Sequence, residues 1–163
     1  MITTRCVQVV VPTMLVALML SIVPLPNWAE MLRPDWVALV LIYWVMAMPE
    51  KVGVTVAWGF GLLLDVAQGA ILGQHAIGLV LITYIVLLQY ARIRVFSLVQ
   101  QAIVVFFLLL IKQLLVLWVS GIIGLTPQLS SYFLSSLVGA ILWPWLFLSL
   151  RNVRRRFTLT KHY

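Results

Sequence analysis

The stretch LVQQAIVVFFLLLIKQLLVLWVSGII, residues 98–123, decides how the chain is read. It is apolar on every side, holds one ionisable residue, Lys112, and exceeds the ~20 residues an α-helix needs to cross a bilayer. The rest of the chain has the same character: 64% of the 163 residues are hydrophobic and 9% are charged. A soluble domain carries roughly 25% charged residues. The charges gather between apolar runs, which lets each run sit in lipid. The fold class expected is therefore an all-α polytopic membrane protein, one integral helical domain over residues 1–163.

Working outward, six crossings are expected, at about 6–23, 34–48, 52–66, 76–90, 98–123 and 131–150. Proline sets several of the boundaries. The PLPN cluster at 24–27 ends the first run, because proline cannot continue a helix and disfavours helix just before itself. Pro34 suits a helical first turn, and Asp35 suits the positive end of the helix dipole. The run that follows stops before Pro49 and is short for a crossing, so it requires either a thinned bilayer or shielding by protein. Thr126-Pro127 marks the last turn. The first run resembles a signal peptide, but it is long for one and PLPNW at 24–28 has no small-x-small cleavage pattern. It is expected to be retained.

Six crossings place both termini on one side. With the termini cytoplasmic, Arg5, Lys51, Arg92, Arg94, Arg151, Arg154, Arg155, Arg156 and Lys161 all lie inside. These are nine of the 11 Lys and Arg residues, and the positive-inside bias selects this orientation. The formal charge of +7 then reflects cytoplasmic edges that meet anionic lipid, rather than nucleic acid. The single cysteine, Cys6, allows no intrachain disulfide. The two histidines, His75 and His162, are too far apart in sequence to suggest a metal site. No metal or cofactor is expected.

Asp65 and Lys112 fall well inside apolar runs, where a charge costs at least about 2.5–3.5 kcal/mol and should face protein or water. They lie roughly 21 and 27 Å beyond Lys51 and Arg94 along parallel helices, and a lysine stem covers that difference. Either the two form an intramembrane pair, or Asp65 is wetted near the outer surface while Lys112 snorkels alone. A proton relay would need further partners. Small or polar residues recur every fourth position at Gly53, Ala57, Gly61, Asp65, Gly69 and Gly73, and again at Ser131, Ser135 and Gly139. Such faces let helices approach closely. They serve either packing inside the bundle or a groove for another protein's helix. Trp28, Trp36, Trp44, Trp143 and Trp145 fall near expected ends and read as interfacial anchors. His75 reads as a hydrogen-bonded helix-start residue.

Enzyme signatures are missing from the sequence. There is no G-x-S-x-G elbow, no phosphate loop, no H-E-x-x-H and no pair of acids at apolar positions in two helices. The chain is not expected to be an enzyme.

The stretch LRPDWVALVLIYWVMAMPEKVGV at 32–54, followed by GFGLLLDVAQGAILGQHAIG at 59–78, resembles the MreD family of bacterial rod-shape-determining proteins. The ending LWPWLFLSLRNVRRRF at 142–157 is similar to its proteobacterial branch. The resemblance implies a non-enzymatic, multi-pass inner-membrane component of the machinery that elongates the peptidoglycan wall. It implies a direct partner, MreC, and association with MreB, RodA and its penicillin-binding transpeptidase. It also implies a six-helix fold similar to the substrate-binding subunits of energy-coupling-factor transporters, which leaves small-molecule binding or transport as the rival reading. On the scaffold reading, the small-residue face at 52–66 or 131–150 receives the MreC helix, and the 24–33 loop touches its periplasmic part. Leucine at Gly61 or Gly139 should then weaken the complex and spare folding. The cluster Arg151, Arg154, Arg155 and Arg156 meets lipids or the MreB side.

Overall fold

A computed structural model describes residues 2–126 and 128–159, with side chains from residue 7 to 157 except Pro127. His162, Lys161 and Pro127 lie outside the described residues, as do the side chains of Arg5 and Cys6. The described residues form seven helices and no strand: α1 (Ile2–Ile22), α2 (Asn27–Glu30), α3 (Trp36–Ala47), α4 (Val54–Gln68), α5 (Gln74–Ile93), α6 (Leu98–Ile122) and α7 (Leu129–Leu159). The six segments expected to be helical correspond to α1 and α3–α7. Short connections make chain neighbours antiparallel. Three helices are long and apolar enough to cross a membrane by themselves: Gln74–Ile93, Leu98–Ile122 and Leu129–Phe157. The apolar stretches Val7–Ile22, Trp36–Ala47 and Val54–Gln68 are shorter. The protein is an all-helical polytopic membrane protein.

The shortest of these, α3, is the centre of the bundle. Every residue from Val37 to Met46 is buried, and the helix packs against α1, α5, α6 and α7. A helix apolar on all sides has no face for water and is stable only when surrounded. Its 12 residues rise only ~18 Å, against a hydrocarbon thickness of ~30 Å. Protein shielding, not a thinned bilayer, is thus what surrounds it. Large apolar side chains point outward from the other helices, including Met19, Leu88, Ile122 and Ile141. In water such a surface would aggregate, and in lipid it is matched.

Local sequence explains the helix ends. Asp35 caps α3, its carboxylate accepting from the Ala38 N–H at 3.2 Å. Ser97 and Gln100 form a capping box on α6. Gly69 ends α4 with φ 64°, and Gly73 precedes α5 with φ 98°, conformations glycine adopts without the Cβ clash of other residues. The expected 24–33 loop contains one helical turn, α2, which its proline cluster obscures. The last helix runs to Leu159 rather than 150; the four arginines of the added segment are good helix formers, and no Pro or Gly interrupts it.

Two expected anchors are core residues instead. Trp44 and Trp143 are fully buried. Their indole N–H groups donate to Thr13 Oγ1 at 2.9 Å and Gln101 Oε1 at 3.3 Å, so the polar edge of each ring is satisfied without an interface. Trp28 and Trp145 are exposed.

Candidate functional site

The site is built around two acids, Asp65, which is fully buried, and Asp35, which is partly buried. Asp65, in the last turn of α4, is fully buried. The Gly69–Gly73 turn reverses the chain and sets the start of α5 directly against it. Asp65 then accepts from the backbone N–H groups of Gly73 and His75, both at 2.9 Å, and of Ala76 at 3.4 Å. His75 Nδ1 lies 2.8 Å from Asp65 Oδ1. A carboxylate at the positive end of a helix, satisfied by otherwise unpaired N–H donors, is stabilised without a metal or a lysine. His75 is the helix-start residue expected of it. The hairpin closes because Gly61 has no side chain: a Cβ there would lie 2.3 Å from the Ala76 Cα.

Lys112 lies halfway along α6, with its side chain 3% exposed. Its Nζ pairs with Asp35 Oδ2. Both readings of Asp65 and Lys112 are therefore corrected: the two do not pair with each other, Asp65 is fully buried rather than wetted, and Lys112 is paired rather than snorkelling alone. Asp65 is occupied by the start of α5. Asp35 caps a helix so short that its N-terminal end is sunk into the bundle, about 18 Å from the end of α3, and Lys112 lies ~21 Å from the start of α6. Gly78 makes room for the lysine stem, since a Cβ there would approach Lys112 Cγ to 2.8 Å.

Around these groups opens a cavity of about 510 Å³, whose lining includes Asp35, Lys112, His75, Gln74, Gln113 and Ser131. A hydrogen-bonded wall frames it. Gln74 Nε2 donates to Ser120 Oγ at 2.8 Å and to the Val116 carbonyl at 3.2 Å. Ser136 donates to Gln113 Oε1 at 2.7 Å, and Ser135 donates to the Arg33 carbonyl at 2.5 Å. Arg33 in turn holds the carbonyl of Val23. The loop between α1 and α3 is thereby fastened over the cavity, and Glu30 and Arg33 stand on its rim. Gln74, Gln113 and Ser136 carry no reading in the sequence, and Asp35 reads there only as a helix-start residue; of the two glutamines, Gln113 alone stands inside an apolar run.

The small-residue faces resolve position by position. Ala57 and Gly61 pack inside, the latter against α5, and Gly139 packs inside against Leu109 and Leu39. Leucine at Gly61 or Gly139 would therefore disturb the bundle itself, contrary to the expectation that folding is spared. Gly53, Gly69 and Gly73 meet nothing within 4 Å of a built Cβ and serve as cap and turn residues. Ser131 lines the cavity and Ser135 is bonded within its wall. At the opposite end of the bundle Arg151, Arg155 and Arg156 are exposed and Arg154 is half-buried. Among the described residues no group of three or more His, Cys, Asp or Glu could hold a metal ion.

Comparison with known proteins now bears on this arrangement. Residues 3–153 match the family model described as rod shape-determining protein MreD. The chain belongs to the MreD family. It is 36% identical over 146 residues to the rod shape-determining protein MreD of Haemophilus influenzae, covering 88% of this chain and 89% of that protein. No solved structure matches, so the expected likeness to energy-coupling-factor subunits has no support from that comparison.

Proposed function

We propose that this chain is a non-enzymatic scaffold of the rod-shape peptidoglycan-synthesis complex in the bacterial inner membrane. It binds MreC directly and is associated through it with MreB, RodA and its penicillin-binding transpeptidase. Both termini are cytoplasmic, which sets the arginine-rich end inside and the 510 Å³ cavity towards the periplasm. Family membership supports the cellular role. The observation that carries the binding role is the cavity itself, a polar concavity beneath the α1–α3 loop in a chain whose other connections are too short to form a recognition domain. Since Ala57, Gly61 and Gly139 are taken up by internal packing, the partner is read by this cavity and the loop above it.

A Ser131→Trp substitution fills the cavity from a half-buried position on its rim. It should abolish MreC co-purification in mild detergent and rod shape in cells, while leaving thermal stability within a few degrees of wild type. Unchanged co-purification would remove the cavity from the interface. The rival reading, small-molecule binding, is favoured by the cavity's size, which lies in the ~300–1,000 Å³ range of ligand pockets. Mass spectrometry of the purified protein separates the two. A stoichiometric single-helix protein supports the scaffold, and a bound metabolite with no such partner supports the rival.

A further inference from the structure

At the arginine-rich end, α3, α5, α6 and α7 enclose a second cavity of about 210 Å³, lined by Tyr43, Met46, Ala47, Arg94, Gln101, Phe147 and Arg154. Its lining brings two guanidinium groups together beside a tyrosine hydroxyl. Tyr43 is 2% exposed and its hydroxyl has no hydrogen-bond partner among the described residues. Its ring is held edge-on by Trp44 at 5.2 Å and Phe147 at 5.4 Å between centroids. The positive charges of Arg154 and Arg151 bear on that hydroxyl. A buried hydroxyl left unpaired is costly and rare in folded proteins.

Arg94 is held in place. Its Nε and Nη2 donate to the carbonyl of Met46 at 3.2 and 2.5 Å, and Nη2 also donates to that of Ala47 at 3.2 Å. The Tyr90 ring lies 5.7 Å from its guanidinium carbon. An arginine has five N–H donors. Three are used here, so the two on Nη1 remain for a ligand among the described residues. Gln101 is fully engaged with the carbonyls of Ile93 and Phe96 and with Trp143, and acts as wall.

We propose that this cavity binds a phosphate group presented by an anionic phospholipid, with Arg94 and Arg154 taking the phosphate oxygens and the Tyr43 hydroxyl donating to one of them. Guanidinium forks match phosphate geometry, and basic pockets between membrane helices are suited to lipid headgroups. The cavity is smaller than the ~300 Å³ lower bound for drug-sized ligands, which fits a single headgroup rather than a nucleotide. The site is independent of the MreC reading, since it lies at the other end of the bundle.

The test is the thermal stability of the purified, delipidated full chain in detergent, titrated with short-chain phosphatidylglycerol, phosphatidylcholine of the same chain length, and inorganic phosphate. Phosphatidylglycerol should raise the unfolding temperature saturably, and phosphatidylcholine should not. Tyr43→Phe removes only the unpaired hydroxyl, so its unliganded stability should equal or exceed wild type, while half-saturation should need at least about tenfold more lipid. Arg154→Gln should lose the response, and Arg155→Gln, outside the cavity, should keep it. An equal response to inorganic phosphate would keep the site and assign it to the free ion. Equal responses to both lipids, a wild-type response in Tyr43→Phe and Arg154→Gln, or an equal loss in Arg155→Gln would overturn the proposal.

Discussion

The two acids of the site, Asp65 and Asp35, solve the same problem in different ways. Asp65 is served by its own neighbourhood: its donors lie 8 to 11 residues downstream, across one tight hairpin. Asp35 is served locally by Ala38 and remotely by Lys112, 77 residues away. The first site is as rigid as the α4–α5 turn that makes it. The second is an ion pair that staples the central helix to α6 and opens onto a polar cavity. Local sites are held by backbone geometry, whereas the remote one depends on how four helices dock.

That contrast can be broken most severely at its rigid side. Gly61→Leu should cost about 4 kcal/mol or more, because it meets backbone rather than a movable side chain. The expected outcome is failure to accumulate folded protein, read by size-exclusion in detergent. A folded, stable variant would mean that the α4–α5 contact is looser than described.

Next comes the remote pair. Lys112→Met should destabilise by about 3 kcal/mol in denaturant titration, at the low end for a broken buried pair, because cavity water reaches Asp35. Asp35→Ala should cost at least as much, since it removes the cap of α3 as well and strands a lysine that is 3% exposed. Similar small losses in both would show that the pair is solvent-screened.

At the local site, Asp65→Asn keeps one acceptor oxygen and the shape of the side chain. It should cost about 2 kcal/mol, the range for a hydrogen-bonded charged group. His75→Gln should cost under about 1 kcal/mol, because the backbone donors to Asp65 remain. A larger loss at His75 than at Asp65 would reverse the assignment of which group holds the hairpin.

The same contrast explains what could be read in advance. Apolar runs and Pro or Gly punctuation located the helices, and the glycine series around Asp65 pointed to a tight approach, because those signals are local. Even Lys112's depth along α6 could be estimated from helical rise. Its partner could not, because Asp35 stands next to a proline at the edge of an apolar run and looks like a surface cap. Only the burial of the whole of α3 brings that cap inside. Trp44 was misplaced for the same reason: proximity to a helix end says little about depth when the helix is only 12 residues long. Trp143 was misplaced because α7 runs on to Leu159, which leaves that indole in mid-helix rather than near an end. Tyr43 gave no signal and Arg94 read only as a charge at a helix end, since their significance lies in a cavity shared by four helices.

The most direct measurement is a pair of double-mutant cycles in denaturant titration, Asp35→Asn with Lys112→Met and Asp65→Asn with Lys112→Met. Contacting residues couple and separated ones add within about 0.5 kcal/mol. The structure predicts coupling of about 1–3 kcal/mol in the first cycle and additivity in the second. Additivity in the first with coupling in the second would restore the Asp65–Lys112 pair and contradict this account of the site.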